Sequence, residues 1–184
     1  AEVDIQAPIE TIGQFAFARM PNLIKIELPA TVTSVGPCAF SECRALTDVK
    51  LSDNLTELSR DLFSFCTKLS AFTIPATVEI VASGCFRATN LEVLEIAPSA
   101  TPLKANYTFL QVSGGSTIDC LRVGRDVVLY SSNDFSDNNV VTDWVAQFYP
   151  HPDHLLSSIE LGTYVTDFTW FPVYRGEGYS PAVA

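Results

Sequence analysis

Apolar residues return along this chain at a fixed interval. Phe17, Phe40, Phe63 and Phe86 stand 23 residues apart, and so do Leu23, Leu46 and Leu69, with Leu91 following. One unit reads Leu23-x-x-Ile26-x-Leu28-Pro29-x-x-Val32-x-x-Val35-Gly36-x-x-Ala39-Phe40-x-x-Cys43. The next two repeat it through Leu46, Val49, Leu51, Leu55, Leu58, Leu62, Phe63 and Cys66, then Leu69, Phe72, Ile74, Val78, Val81, Cys85 and Phe86. Val3, Ile5, Ile9, Ile12, Ala16, Phe17 and Met20 fit an earlier unit entered part-way. Within a unit, apolar residues at its fourth and sixth positions alternate as in a strand. The Pro or Gly that follows ends the strand and turns the chain. Val-x-x-Val-Gly turns a second corner. Ala-Phe-x-x-Cys is too short for an independent helix and is predicted to make one helical turn, with Phe inside the coil.

A single unit cannot bury its own apolar face, whereas stacked units can. The pattern therefore predicts an α/β solenoid that is β-rich and right-handed. Parallel strands form a ladder on one face, with short helical turns and loops on the other. Residues 1–97 carry the regular repeat and 98–184 a degenerate continuation of the same domain. Leu91, Leu94 and Ile96 open one degraded unit. Ile118, Leu121 and Val123 open another, and Leu156, Ile159 and Leu161 a last one, for about seven coils in all. Two insertions interrupt this half. Residues 104–117, with Gly114-Gly115-Ser116, are predicted to form a loop. In 136–155, Val140, Val141, Trp144, Val145 and Phe148 recur at helical spacing and predict a helix over about 139–149, ended by Pro150. The tail from Arg175 reads as unstructured. Neither end shows a polar cap, so flanking sequence is expected.

Between the inward positions of each strand, side chains face out and stack into rows. The candidate binding ladder is Lys25, Glu27, Asp48, Lys50, Thr73, Glu95, Arg122 and Glu160. A solvated sheet surface would have the same composition. What separates the two is whether the face carries an apolar patch among its charges.

Charge narrows the partner class. The chain holds 21 acidic and 11 basic residues, a formal charge of -10, whose average field repels nucleic acid. No apolar run approaches the roughly 20 residues that span a bilayer. A monomer with a protein partner is expected.

The residue types that carry chemistry are sparse. Of the cysteines, Cys43 and Cys66 share one repeat position with Met20 and Thr89, an interior slot where free Cys acts as a small hydrophobe. A Cys43–Cys66 disulfide is sterically conceivable, since stacked coils bring such positions near bonding range. Without a C-x-x-C pair, zinc is not indicated. His151, Asp153 and His154 could hold a metal weakly, but a proline-rich turn accounts for them. No metal, cofactor or catalytic residue is therefore assigned. Asn54 and Asn106 open glycosylation triplets.

The unit Leu-x-x-Ile-x-Leu-Pro-x-x-Val-x-x-Val-Gly-x-x-Ala-Phe-x-x-Cys resembles the BspA-type, or Treponema pallidum type, leucine-rich repeat. Residues 23–45 match nearly every fixed position, and 46–90 match most, with Ser52 for Pro, Ser59 for Gly and Leu62 for Ala. The resemblance implies a secreted or surface-anchored bacterial protein without shared catalytic residues. It also implies adhesion, with host matrix or cell-surface proteins as partners. Alternatives are a structural spacer within a larger surface protein, and a carbohydrate-binding or enzymatic role in the irregular half.

Overall fold

The structure is a computed structural model that describes residues 2, 3, 5, 7–106, 109, 118, 120–130 and 158–166. Its strands are β1 (Glu2–Val3), β2 (Thr11–Ile12), β3 (Lys25–Glu27), β4 (Ser34–Val35), β5 (Asp48–Lys50), β6 (Glu57–Leu58), β7 (Ala71–Ile74), β8 (Ile80–Val81), β9 (Val93–Ile96), β10 (Leu103–Asn106), β11 (Cys120–Arg125), β12 (Val127–Tyr130) and β13 (Ser158–Tyr164). Odd-numbered strands line one side of the coil and even-numbered strands a second, all paired in parallel. Pairing follows the repeat: Ile26 faces Val49, and Leu121 faces both Leu94 and Ile159. The phase read from the sequence thus survives both insertions.

The core is a set of single-residue columns. Leu23, Leu46 and Leu69 are fully buried, as are Phe40, Phe63 and Phe86. The rings of Phe17, Phe40, Phe63 and Phe86 stack in series, with centroids 5.4, 5.7 and 5.9 Å apart. Phe109 extends the column: it is buried, and its carbonyl accepts the Phe86 amide. It lies 23 residues after Phe86, a signal present in the sequence but absorbed there into a predicted loop. The first residues of that expected loop are strand instead, because Leu103–Asn106 forms β10.

The α/β description is corrected on the third side. The described residues contain no helix, and Ala-Phe-x-x-Cys instead forms overlapping tight turns. Ala39, Ser41 and Cys43 donate to the carbonyls of Gly36, Cys38 and Phe40, three residues back. Left-handed residues interrupt any helical continuation: Phe15 and Arg19, Cys38 and Glu42, Asp61 and Phe65, then Gly84 and Ala88. The amides between these turns point along the solenoid axis. Cys38, Phe40 and Glu42 donate to Arg60, Leu62 and Ser64 of the next coil, and Asp61, Phe63 and Phe65 donate to Ser83, Cys85 and Arg87. A left-handed conformation costs a non-glycine residue roughly 1–2 kcal/mol. Here it is offset by coil-to-coil hydrogen bonds of about 1 kcal/mol each.

Over the described residues the solenoid makes about five turns rather than the seven coils expected. The first coil enters part-way, and residues 131–157, between β12 and β13, lie outside the described residues, as do the expected helix at 139–149, His151, Asp153, His154 and the tail from Arg175. Both strand ladders are also discontinuous. The odd strands split into β1-β3-β5 and β7-β9-β11-β13, and the even ones into β2-β4 and β6-β8-β10-β12. The coils at the break keep the 23-residue length, so no insertion causes it. It coincides with the change from Val49 to Phe72, whose ring packs 5.3 Å from Phe63 and 4.8 Å from Phe86.

Side chains stitch the corners that no ladder covers. Asn54 Nδ2 donates to the Ala30 carbonyl of the preceding coil at 2.7 Å. Arg125 is fully buried and donates to the carbonyls of Pro75 and Ala76 at 2.8 and 3.1 Å. Burial lowers its pKa. Neither role is marked by the repeat, because both residues occupy positions the consensus leaves variable.

Candidate functional site

The outward positions of the odd strands form two rows. Pairing between strands places Glu2, Lys25 and Asp48 in one row and Glu27 and Lys50 in the other. Beyond the break, Thr73, Glu95, Arg122 and Glu160 continue the second row in register. All eight candidate residues therefore lie on one side of the solenoid. The break between β5 and β7 divides them into two groups of four: Lys25, Glu27, Asp48 and Lys50, then Thr73, Glu95, Arg122 and Glu160.

Charges alternate along the rows, and neighbours pair. Lys25 lies 3.6 Å from Glu2 and 3.9 Å from Glu27, while Lys50 donates to Glu27 and Arg122 Nε lies 3.0 Å from Glu160. The Lys50 hydrogen bond holds the Glu27 carboxyl below its ordinary pKa, and the same contact raises that of Lys50. The hydrogen bond to Glu160 raises that of Arg122. These pairs are exposed, so each contributes little to stability and is screened by salt.

The two groups differ in what accompanies the charges. In the first row, Glu2, Lys25 and Asp48 give way beyond the break to Ala71, Val93 and Cys120, with Val93 and Cys120 half-buried. The second half of the face thus presents a narrow uncharged strip beside the row from Thr73 to Glu160. The first half is charged in both rows.

Cys43 and Cys66 sit in the interior, as their shared repeat position predicts, and Cys85 is buried too, while Cys38 and Cys120 are half-buried. Cys43 and Cys66 are buried and free, and their thiols donate to the Phe17 and Phe40 carbonyls of the preceding coils at 3.0 and 3.2 Å. A Cys43–Cys66 disulfide is therefore not formed: each thiol is engaged with a carbonyl instead. Burial pushes the Cys43, Cys66 and Cys85 thiols above their ordinary pKa, which disfavours the nucleophilic thiolate. Of the two glycosylation triplets, Asn106 is buried in β10, and Asn54 is exposed with its amide bonded to Ala30. Among the described residues, no group of three metal-ligating side chains converges, and no helix is long and apolar enough to cross a membrane.

A periodic interior of Leu, Val, Phe and Cys wound into parallel ladders can be compared with known repeats. The sequence model of the BspA type leucine rich repeat region matches residues 1–113 in six copies. The chain belongs to the BspA-type leucine-rich repeat family. The match ends before β11, although β11 and β13 continue the first ladder of this BspA-type solenoid in register. A search of the curated proteins finds no match. Among solved structures, a leucine rich cell surface protein from Faecalibacterium prausnitzii is 19% identical, with a TM-score of 0.47 over 72% of this chain and 32% of that one. A leucine-rich repeat protein from Bacteroides ovatus is 18% identical, with a TM-score of 0.47 over 84% of this chain and 47% of that one. The chain therefore spans less than half the length of either solved chain.

Proposed function

We propose that this BspA-type solenoid is a non-catalytic protein-interaction module of a secreted or cell-surface bacterial protein, and that it binds through its odd-strand face. The observation that carries this reading is the change along that face. An uncharged strip of Ala71, Val93 and Cys120 runs beside the ordered row Thr73, Glu95, Arg122 and Glu160. Small side chains let a partner approach closely, and the flanking charges fix its register. The contact is centred beyond the break, with Lys25, Glu27, Asp48 and Lys50 at its rim. The partner class is a host matrix or cell-surface protein, met by a monomer.

Surface plasmon resonance of the chain over immobilised matrix proteins tests this reading. Binding at micromolar concentration is expected, reduced at least tenfold by Val93→Glu, which places a charge in the strip. No binding at that concentration, or binding indifferent to Val93→Glu, would overturn it. Charge pairing favours one second reading. Glu2, Lys25, Glu27 and Lys50 neutralise one another, which suits a spacer that displays other domains while attracting nothing. A catalytic or carbohydrate-binding role around 104–117 and 150–154 falls mostly outside the described residues.

A further inference from the structure

The tight turns of the third side carry charge that the strand-face reading does not use. Residues 13–22, 36–45, 59–68 and 82–90 hold five basic residues, Arg19, Arg44, Arg60, Lys68 and Arg87, against two acidic ones, Glu42 and Asp61. Over the rest of the described chain the balance is reversed, with eleven acidic residues against five basic. A chain with a formal charge of -10 thus keeps a net positive band along its turn side.

Ion pairing sharpens the segregation. Arg19 and Arg44 share Glu42, at 3.0 and 3.6 Å, and Arg87 and Arg60 share Asp61, at 2.9 and 3.8 Å. The two carboxylates lie low, with side chains 31% and 18% exposed, whereas those of Arg19, Arg44, Arg60 and Arg87 are 80, 65, 54 and 41% exposed. What this side presents outward is guanidinium, and each acid beneath steadies two of them. Arg87 is held further, its guanidinium 5.4 Å from the centre of the Phe65 ring. An arginine already held by its neighbours loses less freedom when it binds. The two clusters abut: Glu42 and Phe65 share one repeat position in successive coils, and the Glu42 amide donates to the Ser64 carbonyl. Together they run along the four coils of the Phe column, whose steps are 5.4, 5.7 and 5.9 Å.

The partner follows from this chemistry. Guanidinium forks select carboxylate, sulfate and phosphate. The amides of Cys38, Phe40, Glu42, Asp61, Phe63 and Phe65 are taken up between coils, so the turn side offers no ladder edge to a peptide main chain. An anionic bilayer is broad enough to meet the acidic flanks as well. Arg87 already covers one face of Phe65, which leaves that ring poorly placed to enter lipid or to stack on a base. What fits is a narrow chain with closely repeated anions and no main-chain ladder to complete. We infer that the turn side binds a linear anionic polysaccharide, its sulfate or carboxylate groups meeting Arg19, Arg44, Arg60 and Arg87, independently of the strand face.

Calorimetric titration of the full chain with heparin and with hyaluronan tests this and distinguishes sulfate from carboxylate as the group recognised. Saturable binding of at least one of them is expected, with Kd of about 10 μM. It should weaken about tenfold or more between roughly 50 and 200 mM salt, as three or four counterions are released. Arg19→Ser with Arg60→Ser is expected to weaken binding at least tenfold while leaving the thermal midpoint nearly unchanged, since exposed pairs add little to stability. Arg44→Glu, which reverses a charge at an exposed position, is the second variant and should act in the same direction. Val93→Glu should leave this binding unchanged, which separates a failure here from a failure of the strand-face reading. No saturable binding to either polysaccharide, or binding indifferent to both turn-side variants, would overturn the proposal. So would equally tight binding of poly-L-glutamate or of phosphatidylserine vesicles, or salt-reversible self-association in place of polysaccharide binding.

Discussion

The turn side and the strand sides of this solenoid solve the same problem differently. On the turn side, hydrogen bonds pass from coil to coil without interruption from Phe15 to Phe109. On the strand sides, both ladders part near the third coil. The backbone that departs most from regular structure is therefore the continuous one. Its left-handed residues aim alternate amides along the axis, and the Phe column fills the space behind them. The strands, with better local geometry, can part because the turn side already holds their coils together. The difference separates two tasks: continuity belongs to the turns, while breaks and outward rows belong to the strands.

Removing a ring from the column should have the largest effect. Phe63 is fully buried and contacts Phe40, Phe72 and Phe86. Phe63→Ala is expected to destabilise by about 3–5 kcal/mol in urea unfolding. A loss under about 1 kcal/mol would contradict the placing of continuity on the turn side. Gly84→Ala comes next. Gly84 has a φ of 63°, and an added Cβ would lie 2.4 Å from Asp61 Oδ1, which pairs with Arg87 at 2.9 Å. A loss of about 1–2 kcal/mol is expected.

Opposite in sign is Phe15→Gly. Phe15 is 57% exposed and held at a φ of 58°. Relief of left-handed strain exceeds the entropy cost of glycine, so a gain of about 0.5 kcal/mol is expected. A measured loss would mean that these residues are not strained as described.

The smallest effect belongs to the strand face. Glu27 has its pKa lowered by Lys50, so its contribution is present at neutral pH and is lost as pH falls through the folded-state value. Glu27→Gln should remove that part of the acid dependence while leaving neutral stability almost unchanged. Denaturant midpoints across the acid range check it.

Much of this was legible in the sequence because stacking repeats the same burial at the same step. The odd-numbered strands, the Phe and Leu columns and the buried Cys43 and Cys66 follow from spacing, whereas the even-numbered ladder stands where the sequence predicts only a corner. The expected rows of Lys25 to Glu160 follow from alternation. The turn backbone was not legible: Phe15, Cys38 and Asp61 adopt a conformation that sequence assigns to Gly or Asn, and Gly84 is the one glycine marking that column. Nor was the break, since the coils on either side keep their length.

Hydrogen exchange of matched amides tests the division between turns and strands most directly. Ile80 and Val93 donate to Thr56 and Ser70 across continuous ladders, and Phe40 donates to Leu62 across the break on the turn side. These three amides should exchange only with large-scale opening. Glu57 and Ala71, which take the corresponding places at the parted edges, should exchange by local fluctuation, orders of magnitude faster. Equal protection of Glu57, Ala71 and their counterparts, or fast exchange at Phe40, would contradict the account.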